Sequence, residues 1–322
     1  MSWLTHHWYR LGPLHLLLFP LSLIFHLLVA LRRNLYRGGI LSGYRLPLPV
    51  IIVGNITVGG TGKTPLTLAL AQGLNELGWY PLIVSRGHGG TAQQQAVMPD
   101  STAAQVGDEP LLMARRNICP VWVGANRVAT ARAALRAHPE CNVLLCDDGL
   151  QHYRLRRDVE IAVIDGSRGL GNGCLLPAGP LREPASRLRS VDAVVVNDGQ
   201  VATGQFAMQL QGATFYNLIH SGQTATADDF KNLRNHAVAG IGNPQRYFTH
   251  LQQLGIHFSA HDFPDHHPYT AADLNFDDCD AILLTEKDAV KCGTFADDRY
   301  WVLRVNARFD PAVMDLIQRK IR

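Results

Sequence analysis

Residues 49–64 read PVIIVGNITVGGTGKT, an apolar run that passes into a glycine-rich turn ending in Gly-Lys-Thr. A helix-like pattern of apolar residues continues from there to Leu77. A strand, a glycine-rich turn, Lys-Thr and a helix in that order are typical of a P-loop. Thr57 replaces the first glycine of the usual G-x-x-x-x-G-K-S/T pattern, so the stretch predicts a variant nucleotide loop.

The residue types in this loop indicate how it would hold a triphosphate. Glycines let the backbone turn its N–H groups inward, and the following helix adds unpaired N–H groups at its positive end. Lys63 supplies a charge for the β- and γ-phosphates, and the Thr64 hydroxyl is a ligand for Mg²⁺. We expect the nucleotide on Thr57, Val58, Gly59, Gly60, Thr61, Gly62, Lys63 and Thr64. An ordinary glycine-rich turn beside a lysine is the alternative.

ATP is the expected nucleotide, because the guanine-selecting pattern Asn/Thr-Lys-x-Asp is not met. At residues 285–288, which read TEKD, the lysine follows the threonine by two positions.

Length and composition point to a globular protein with an unusually apolar portion. The chain has 322 residues, which predicts two α/β lobes, and 47% of its residues are hydrophobic. Its net charge of +3 suits an acidic ligand or an anionic membrane surface and is too small to indicate nucleic acid. The six cysteines are scattered without a C-x-x-C motif, which favours a reducing compartment over a disulfide scaffold.

The N-terminal segment predicts a membrane anchor over residues 1–37. Residues 11–31 contain no Lys, Arg, Asp or Glu, and about twenty such residues are enough to cross a bilayer. The aromatic residues Trp3, Trp8 and Tyr9 precede this run, and Arg32, Arg33 and Arg37 follow it. The position of the arginines predicts that the nucleotide domain lies on the cytoplasmic side. A signal peptide and a buried core helix are the alternatives, and spanning versus lying in the interface stays open.

Apolar runs of strand length alternate with helical patterns over residues 38–198. This alternation predicts a P-loop NTPase-like parallel sheet with helices on both faces, forming the nucleotide-binding kinase domain. The alternating residues 206–210, followed by the run 215–219, predict an antiparallel hairpin inside a linker over residues 199–235. Residues 236–322 repeat the strand and helix alternation and predict a second, smaller α/β lobe.

Residues 143–147 form an apolar strand that delivers Asp147 at its carboxyl end. That is the position of the Mg²⁺-binding acid in P-loop enzymes. Asp148, Gln151 and His152 follow it in the run DDGLQH. Adjacent carboxylates repel each other unless a cation lies between them, so a functional site competes here with a solvated turn.

Three further stretches carry chemistry. Residues 107–110 read GDEP, where Asp108 either starts a helix or takes a proton from a substrate hydroxyl. Residues 262–267 read DFPDHH, with His257 and His261 upstream. This run allows a zinc site, a histidine bonded to a carboxylate base, or a solvated loop. Arg182, in the run GPLREP, suits a phosphate.

Together these stretches resemble the tetraacyldisaccharide 4′-kinase family, the lipid A kinases of Gram-negative bacteria. The likeness spans nearly the whole chain in the family's order: the apolar N-terminal segment and residues 53–65, 85–87, 107–110, 147–152, 179–184, 265–267 and 285–288. Many enzymes share the P-loop, whereas DDGLQH together with GDEP is far more specific. His88 stands where the family usually has tyrosine.

The resemblance implies transfer of the ATP γ-phosphate to the 4′-hydroxyl of a tetraacylated disaccharide 1-phosphate, giving lipid IVA. It implies Asp108 as base, paired with His266 or His267. Around Mg-ATP it implies Lys63, Thr64 and Asp147, with Asp148, His152 and Arg182 near the transferring phosphate. We expect Glu109, Gln151 and His152 on the substrate side. It also implies action on a lipid of the inner membrane, with the catalytic domains on the cytoplasmic face. We expect no binding of nucleic acid and infer no obligate protein partner. A membrane-associated P-loop ATPase acting as a switch or assembly factor is the rival hypothesis.

Overall fold

The computed structural model describes residues 7–10 and 12–322, so Trp3 and Leu11 of the predicted anchor lie outside the described residues. The apolar segment forms one helix, α1 (Pro13–Arg37), with Pro13 in its first turn, where a missing N–H costs nothing. Within the described part of the chain it is the one helix long and apolar enough to cross a membrane. Most of its surface is exposed, which excludes the buried core helix among the alternatives for this segment.

The remaining elements alternate between strands and helices. The first half contains β1 (Val50–Gly54), α2 (Lys63–Glu76), β2 (Pro81–Ser85), β3 (Gln95–Ala96), α3 (Ala103–Val106), α4 (Asp108–Arg116), β4 (Val121–Val123), α5 (Arg127–Ala137), β5 (Val143–Asp147), β6 (Val159–Asp165) and β7 (Ala193–Asn197). The second half contains β8 (Phe206–Asn217), β9 (Thr224–Thr226), β10 (Asn235–Ala239), α6 (Pro244–Gln253), β11 (Phe258–Asp262), β12 (Ala281–Thr285), α7 (Glu286–Cys292), β13 (Tyr300–Phe309) and α8 (Ala312–Ile321).

All of these strands belong to one sheet, ordered β11-β10-β12-β13-β8-β7-β6-β1-β5-β2-β4-β3, with β9 added on β8. The strands from β7 to β4 are parallel to one another, and so are those from β11 to β13. The antiparallel pair of β8 and β13 joins the two halves. The strands of the two predicted α/β units therefore form one continuous sheet, and the domain boundaries themselves stay predictions.

The predicted hairpin over residues 206–219 is wrong. These residues form the single strand β8, which pairs with β7 along one edge and with β13 along the other. Gly212 interrupts the apolar pattern because it lies opposite an irregularity in β13, where a Cβ would overlap the Arg304 carbonyl oxygen. An isolated glycine in a strand marks such a bulge as readily as a turn. The actual turn comes after Asn217, where β9 folds back on β8.

The core lies on both faces of the sheet, which is why β1, β2, β5 and β7 are buried along their whole length. On one face Ile51 and Val53 of β1 pack with Leu66 of α2. On the other, Ile52 packs with Ala131 of α5. The carboxyl ends of β1, β2, β5, β6 and β7 lie together at one edge of the sheet, the usual place for a ligand in such folds. The strands β10 to β13 run in the opposite direction, because β8 is parallel to β7 and antiparallel to β13.

Candidate active site

The predicted nucleotide loop lies between β1 and α2, at the carboxyl edge of the sheet. Gly62 ends the loop with φ 92°, a left-handed conformation that glycine adopts without strain. Asn197, at the end of β7, donates from Nδ2 to the Thr61 carbonyl oxygen at 3.0 Å, and a Cβ on Gly62 would overlap that same amide. Lys63 then begins α2. The end of β7 thus holds the turn at Thr61 and Gly62 in place, and phosphate binding by this loop stays a prediction.

Asp147 ends β5 beside β1 and is fully buried. Its carboxylate accepts hydrogen bonds from Thr67 Oγ1 at 3.3 Å and from Ser85 Oγ at 3.4 Å. Burial raises the pKa of Asp147 to about 7, and the charge of Glu109 acts in the same direction. A buried carboxylate with so few donors suits a cation. Together with the Thr64 hydroxyl it offers the oxygen ligands that Mg²⁺ prefers.

Asp148, the next residue, lies between two cations. Its backbone takes a left-handed φ of 48°. Lys63 Nζ lies 3.5 Å from Asp148 Oδ1, and Arg182 Nη1 donates to both carboxylate oxygens at 3.1 Å. Burial alone would raise the pKa of Asp148, but Lys63 and Arg182 outweigh it and hold that pKa well below its ordinary value. The structure therefore brings together three of the predicted site residues as a charged cluster.

Asp108 and His266 meet across the two halves of the chain. Asp108 is the first residue of α4 and is 8% exposed. His266 Nδ1 lies 3.0 Å from Asp108 Oδ2, and Lys291 Nζ lies 3.9 Å from the same oxygen. His266 has a left-handed φ of 63°, a conformation that non-glycine residues seldom adopt and that is enriched at functional sites. The neighbouring His267 contacts a different carboxylate, with its Nε2 lying 3.4 Å from Asp273 Oδ2.

Glu109 links this pair to the nucleotide end of the site. Its carboxylate is close enough to influence Asp147, and Lys287 Nζ lies 3.4 Å from Glu109 Oε1. The same ammonium contacts Asp265 at 2.9 Å and His266 Nε2 at 3.4 Å. In the part of the chain that the structure describes, no cluster of three His, Cys, Asp or Glu side chains could hold a metal, so the zinc alternative has no support.

Gln151 and His152 lie on the α1 side of this edge. Gln151 Nε2 donates to the Asn55 carbonyl oxygen at 3.0 Å and to Glu183 Oε1 at 2.8 Å, so it braces β1 against the loop that carries Arg182. Burial, followed by nearby arginines, lowers the pKa of His152 to about 4. Their roles toward a substrate stay predictions.

Arg168 is a residue that sequence reasoning missed. Its guanidinium donates to the Gly60 carbonyl oxygen at 2.5 Å, to the Gly242 carbonyl oxygen at 2.8 Å and to Asp165 Oδ2 at 3.0 Å. Arg246 of α6 holds the other oxygen of Asp165 at 2.7 Å. This cluster connects the nucleotide loop to both halves of the chain. No local sequence motif predicts these contacts.

Comparison with known proteins identifies the family. The family model described as Tetraacyldisaccharide-1-P 4'-kinase matches residues 14–322. The chain belongs to the tetraacyldisaccharide 4′-kinase family. Its similarity to the tetraacyldisaccharide 4'-kinase of Methylobacillus flagellatus is 49% identity over 316 residues, covering 98% of this chain and 94% of that protein. The enzyme of the same name from Dechloromonas aromatica is 50% identical over 331 residues, covering 99% and 97% respectively.

A solved tetraacyldisaccharide 4′-kinase structure extends the likeness to the fold. The crystal structure of LpxK from Aquifex aeolicus, in complex with ATP, superposes with a TM-score of 0.81 at 28% identity. The match covers 96% of this chain and all of that one. The resemblance seen in the motifs and the predicted α/β fold class are therefore confirmed. The chain is a kinase of this family.

Proposed function

We propose that this chain transfers the γ-phosphate of ATP to the 4′-hydroxyl of tetraacyldisaccharide 1-phosphate, forming lipid IVA. One observation carries the proposal: the nucleotide loop with Lys63 and Asp147 opens at the same edge as the Asp108–His266 pair, with Glu109 between them. An ATPase switch needs a nucleotide loop but no base for an acceptor hydroxyl. Both halves of the site are therefore explained only by transfer to an alcohol.

On the nucleotide side, the loop N–H groups and Lys63 bind the phosphates. The Thr64 hydroxyl and the Asp147 carboxylate would hold Mg²⁺, which would neutralise phosphate charge there. The burial of Asp147 supports this assignment, because an isolated buried carboxylate gains most from a cation. Asp148 keeps Lys63 and Arg182 near each other before the nucleotide arrives.

On the acceptor side, Asp108 takes the hydroxyl proton as the acceptor oxygen attacks phosphorus. His266 binds Oδ2 of Asp108 and fixes the carboxylate, so that Oδ1 faces the hydroxyl. Lys63 and Arg182 lie where negative charge develops on the transferring group, and preorganised cations are the main source of rate in such transfers. Glu109, Gln151 and His152 bound the space in which the sugar lies.

Helix α1 lies in the membrane interface on the cytoplasmic side of the inner membrane. Ser22, at its middle, donates to the Leu175 carbonyl oxygen at 2.8 Å and accepts from Ala178 N at 3.0 Å. Near its end, Arg33 donates to Ser190 at 2.8 Å. A helix fastened to the catalytic domain at its middle cannot cross a bilayer there, so its outer face enters one leaflet. That face carries Leu16, Leu17, Leu21, Leu23, Ile24, Leu27, Leu28 and Leu31.

The loop that receives α1 also carries Arg182, so the charged site lies beside the lipid surface. The acyl chains of the acceptor stay in the leaflet while its headgroup reaches the carboxyl edge of the sheet. The wild type should float with vesicles of anionic lipid. Variants in which charged residues replace the leucines of α1 should not.

The test of the function is transfer of label. Purified protein in mixed micelles receives [γ-³²P]ATP, Mg²⁺ and tetraacyldisaccharide 1-phosphate, and the products are separated by thin-layer chromatography. We expect a labelled lipid from the wild type and none from Lys63→Met. Release of labelled inorganic phosphate without any labelled lipid would contradict the proposal and favour the ATPase switch.

A further inference from the structure

Lys287 belongs to the stretch TEKD, which the nucleotide site does not use. Thr285 and Asp288 bind each other at the start of α7: Thr285 Oγ1 accepts from Asp288 N at 3.2 Å and donates to Asp288 Oδ2 at 2.6 Å. Asp288 is fully buried and also accepts from Gly240 N at 3.1 Å. The first turn of α7 is thereby fixed to the core, and Lys287 is held against residues from the opposite half of the chain.

The Lys287 ammonium has three acceptors within reach. They are Asp265 Oδ1 at 2.9 Å, Glu109 Oε1 at 3.4 Å and His266 Nε2 at 3.4 Å. The side chain is only 16% exposed. Burial alone would lower the pKa of Lys287, but the charges of Glu109 and Asp265 outweigh it and raise that pKa. The Lys287 ammonium that contacts His266 Nε2 is therefore a charged hydrogen-bond donor that cannot act as an acceptor.

This contact favours one of the two nitrogens of His266 as the site of its proton. A neutral imidazole has one N–H and one lone pair, so a nitrogen that accepts from Lys287 leaves the N–H on the other. That other nitrogen, Nδ1, faces Asp108 Oδ2 at 3.0 Å. Asp265 Oδ1 lies 3.9 Å from Nε2 and would favour a proton there, but the Lys287 ammonium is nearer to Nε2 and already occupies that carboxylate.

We propose that Lys287 is a positioning residue that locks His266 in its neutral Nδ1–H form and so leaves Asp108 as the base. The inference deepens the proposed function and rests on it. In the transfer, the bond between the acceptor oxygen and the γ-phosphorus forms, and the bond from that phosphorus to the bridging oxygen of ADP breaks. The hydroxyl proton passes to Asp108, because Nε2 of His266 is occupied and its Nδ1–H already faces the carboxylate.

The test measures the tautomer of His266 and the kinetic constants kcat and KM in the full chain. Protein labelled with ¹⁵N-histidine is studied in mixed micelles by long-range ¹H–¹⁵N correlation, with His266→Gln assigning the signals of His266. The wild type should carry its proton on Nδ1. In Lys287→Met, part of the His266 population should move its proton to Nε2, and kcat should fall about tenfold to a hundredfold while KM for ATP stays within about twofold.

Two matched variants separate this role from general stabilisation. Lys287→Arg should restore the Nδ1–H form and most of kcat, because a guanidinium also only donates. Lys231→Met removes an exposed lysine paired with Asp228 and should change neither the tautomer nor kcat.

Three results would overturn the proposal. They are a wild-type proton on Nε2, a Lys287→Met variant with an unchanged tautomer, and a changed tautomer with unchanged kcat. If the wild type makes no labelled lipid, the proposed function fails instead. The NMR measurement needs no turnover, so it still decides whether Lys287 sets the tautomer.

Discussion

Replacing Asp108 with asparagine separates the chemistry of this site from its folding. The amide keeps the shape of the side chain and can still accept from His266, whose Nδ1 lies 3.0 Å from Oδ2. It can no longer take a proton. A positioned general base contributes about 10² to 10⁴ in rate, which corresponds to roughly 3 to 5 kcal/mol of the activation barrier. We therefore expect kcat to fall by that factor.

The stability cost should be much smaller. Lys291 Nζ lies 3.9 Å from Asp108, which at an effective dielectric constant near 20 gives an attraction of about 4 kcal/mol. Most of this is offset, because the buried carboxylate no longer has to be desolvated and Lys291 keeps Asp288 at 3.0 Å. We expect the free energy of unfolding to fall by about 1–2 kcal/mol.

Three measurements on the same preparation test this reasoning. Label transfer gives kcat, titration calorimetry with a non-hydrolysable ATP analogue gives the nucleotide Kd, and urea unfolding gives the stability. The Kd should stay within about threefold, since the loop at residues 57–64 is untouched. A folded Asp108→Asn enzyme whose kcat is within a few-fold of the wild type would refute Asp108 as the base.

Three other predictions follow from the geometry. Arg168→Ala removes a charge-assisted bond to the nucleotide loop, worth about 1.5–3 kcal/mol, and should raise KM for ATP about tenfold or more; Arg234→Ala, which breaks exposed ion pairs, should not. The pKa of His152 is about 4 in the folded chain against an ordinary 6.5. Between these two pH values the unfolded chain therefore binds a proton on His152 that the folded chain does not. Stability should therefore fall by about 2 kcal/mol as pH drops through that window, and thermal unfolding of His152→Gln should lack this loss. Leu17→Asp with Leu28→Asp should abolish flotation with vesicles while leaving ATP binding intact; unchanged flotation would exclude α1 as the anchor.

The nucleotide end of the site could be predicted because its signals are local. Glycines, Lys63 and Thr64 are adjacent in sequence, and an apolar strand ending in an acid identifies Asp147. The parallel sheet also follows from short-range alternation. Such patterns are reliable because they determine the conformation of neighbouring residues and do not depend on contacts with distant parts of the chain.

The acceptor end could be predicted only in outline. His266 meets Asp108 across 158 positions, and Arg168 meets Gly60 across 108. Which of two adjacent histidines turns toward Asp108 depends on the left-handed backbone at His266, which tertiary packing imposes. The mistaken hairpin had the same origin, since residues 206–217 are held as one strand by pairing with β7 and with β13, and β13 is distant in sequence.

The most direct test of the central claim is a structure of the full chain with a non-hydrolysable ATP analogue and Mg²⁺. We expect the triphosphate along residues 57–64, with the metal held by Thr64 and Asp147 and the γ-phosphate facing Asp108. A nucleotide bound elsewhere, or a metal held by other residues while Asp147 stays without a cation, would contradict it.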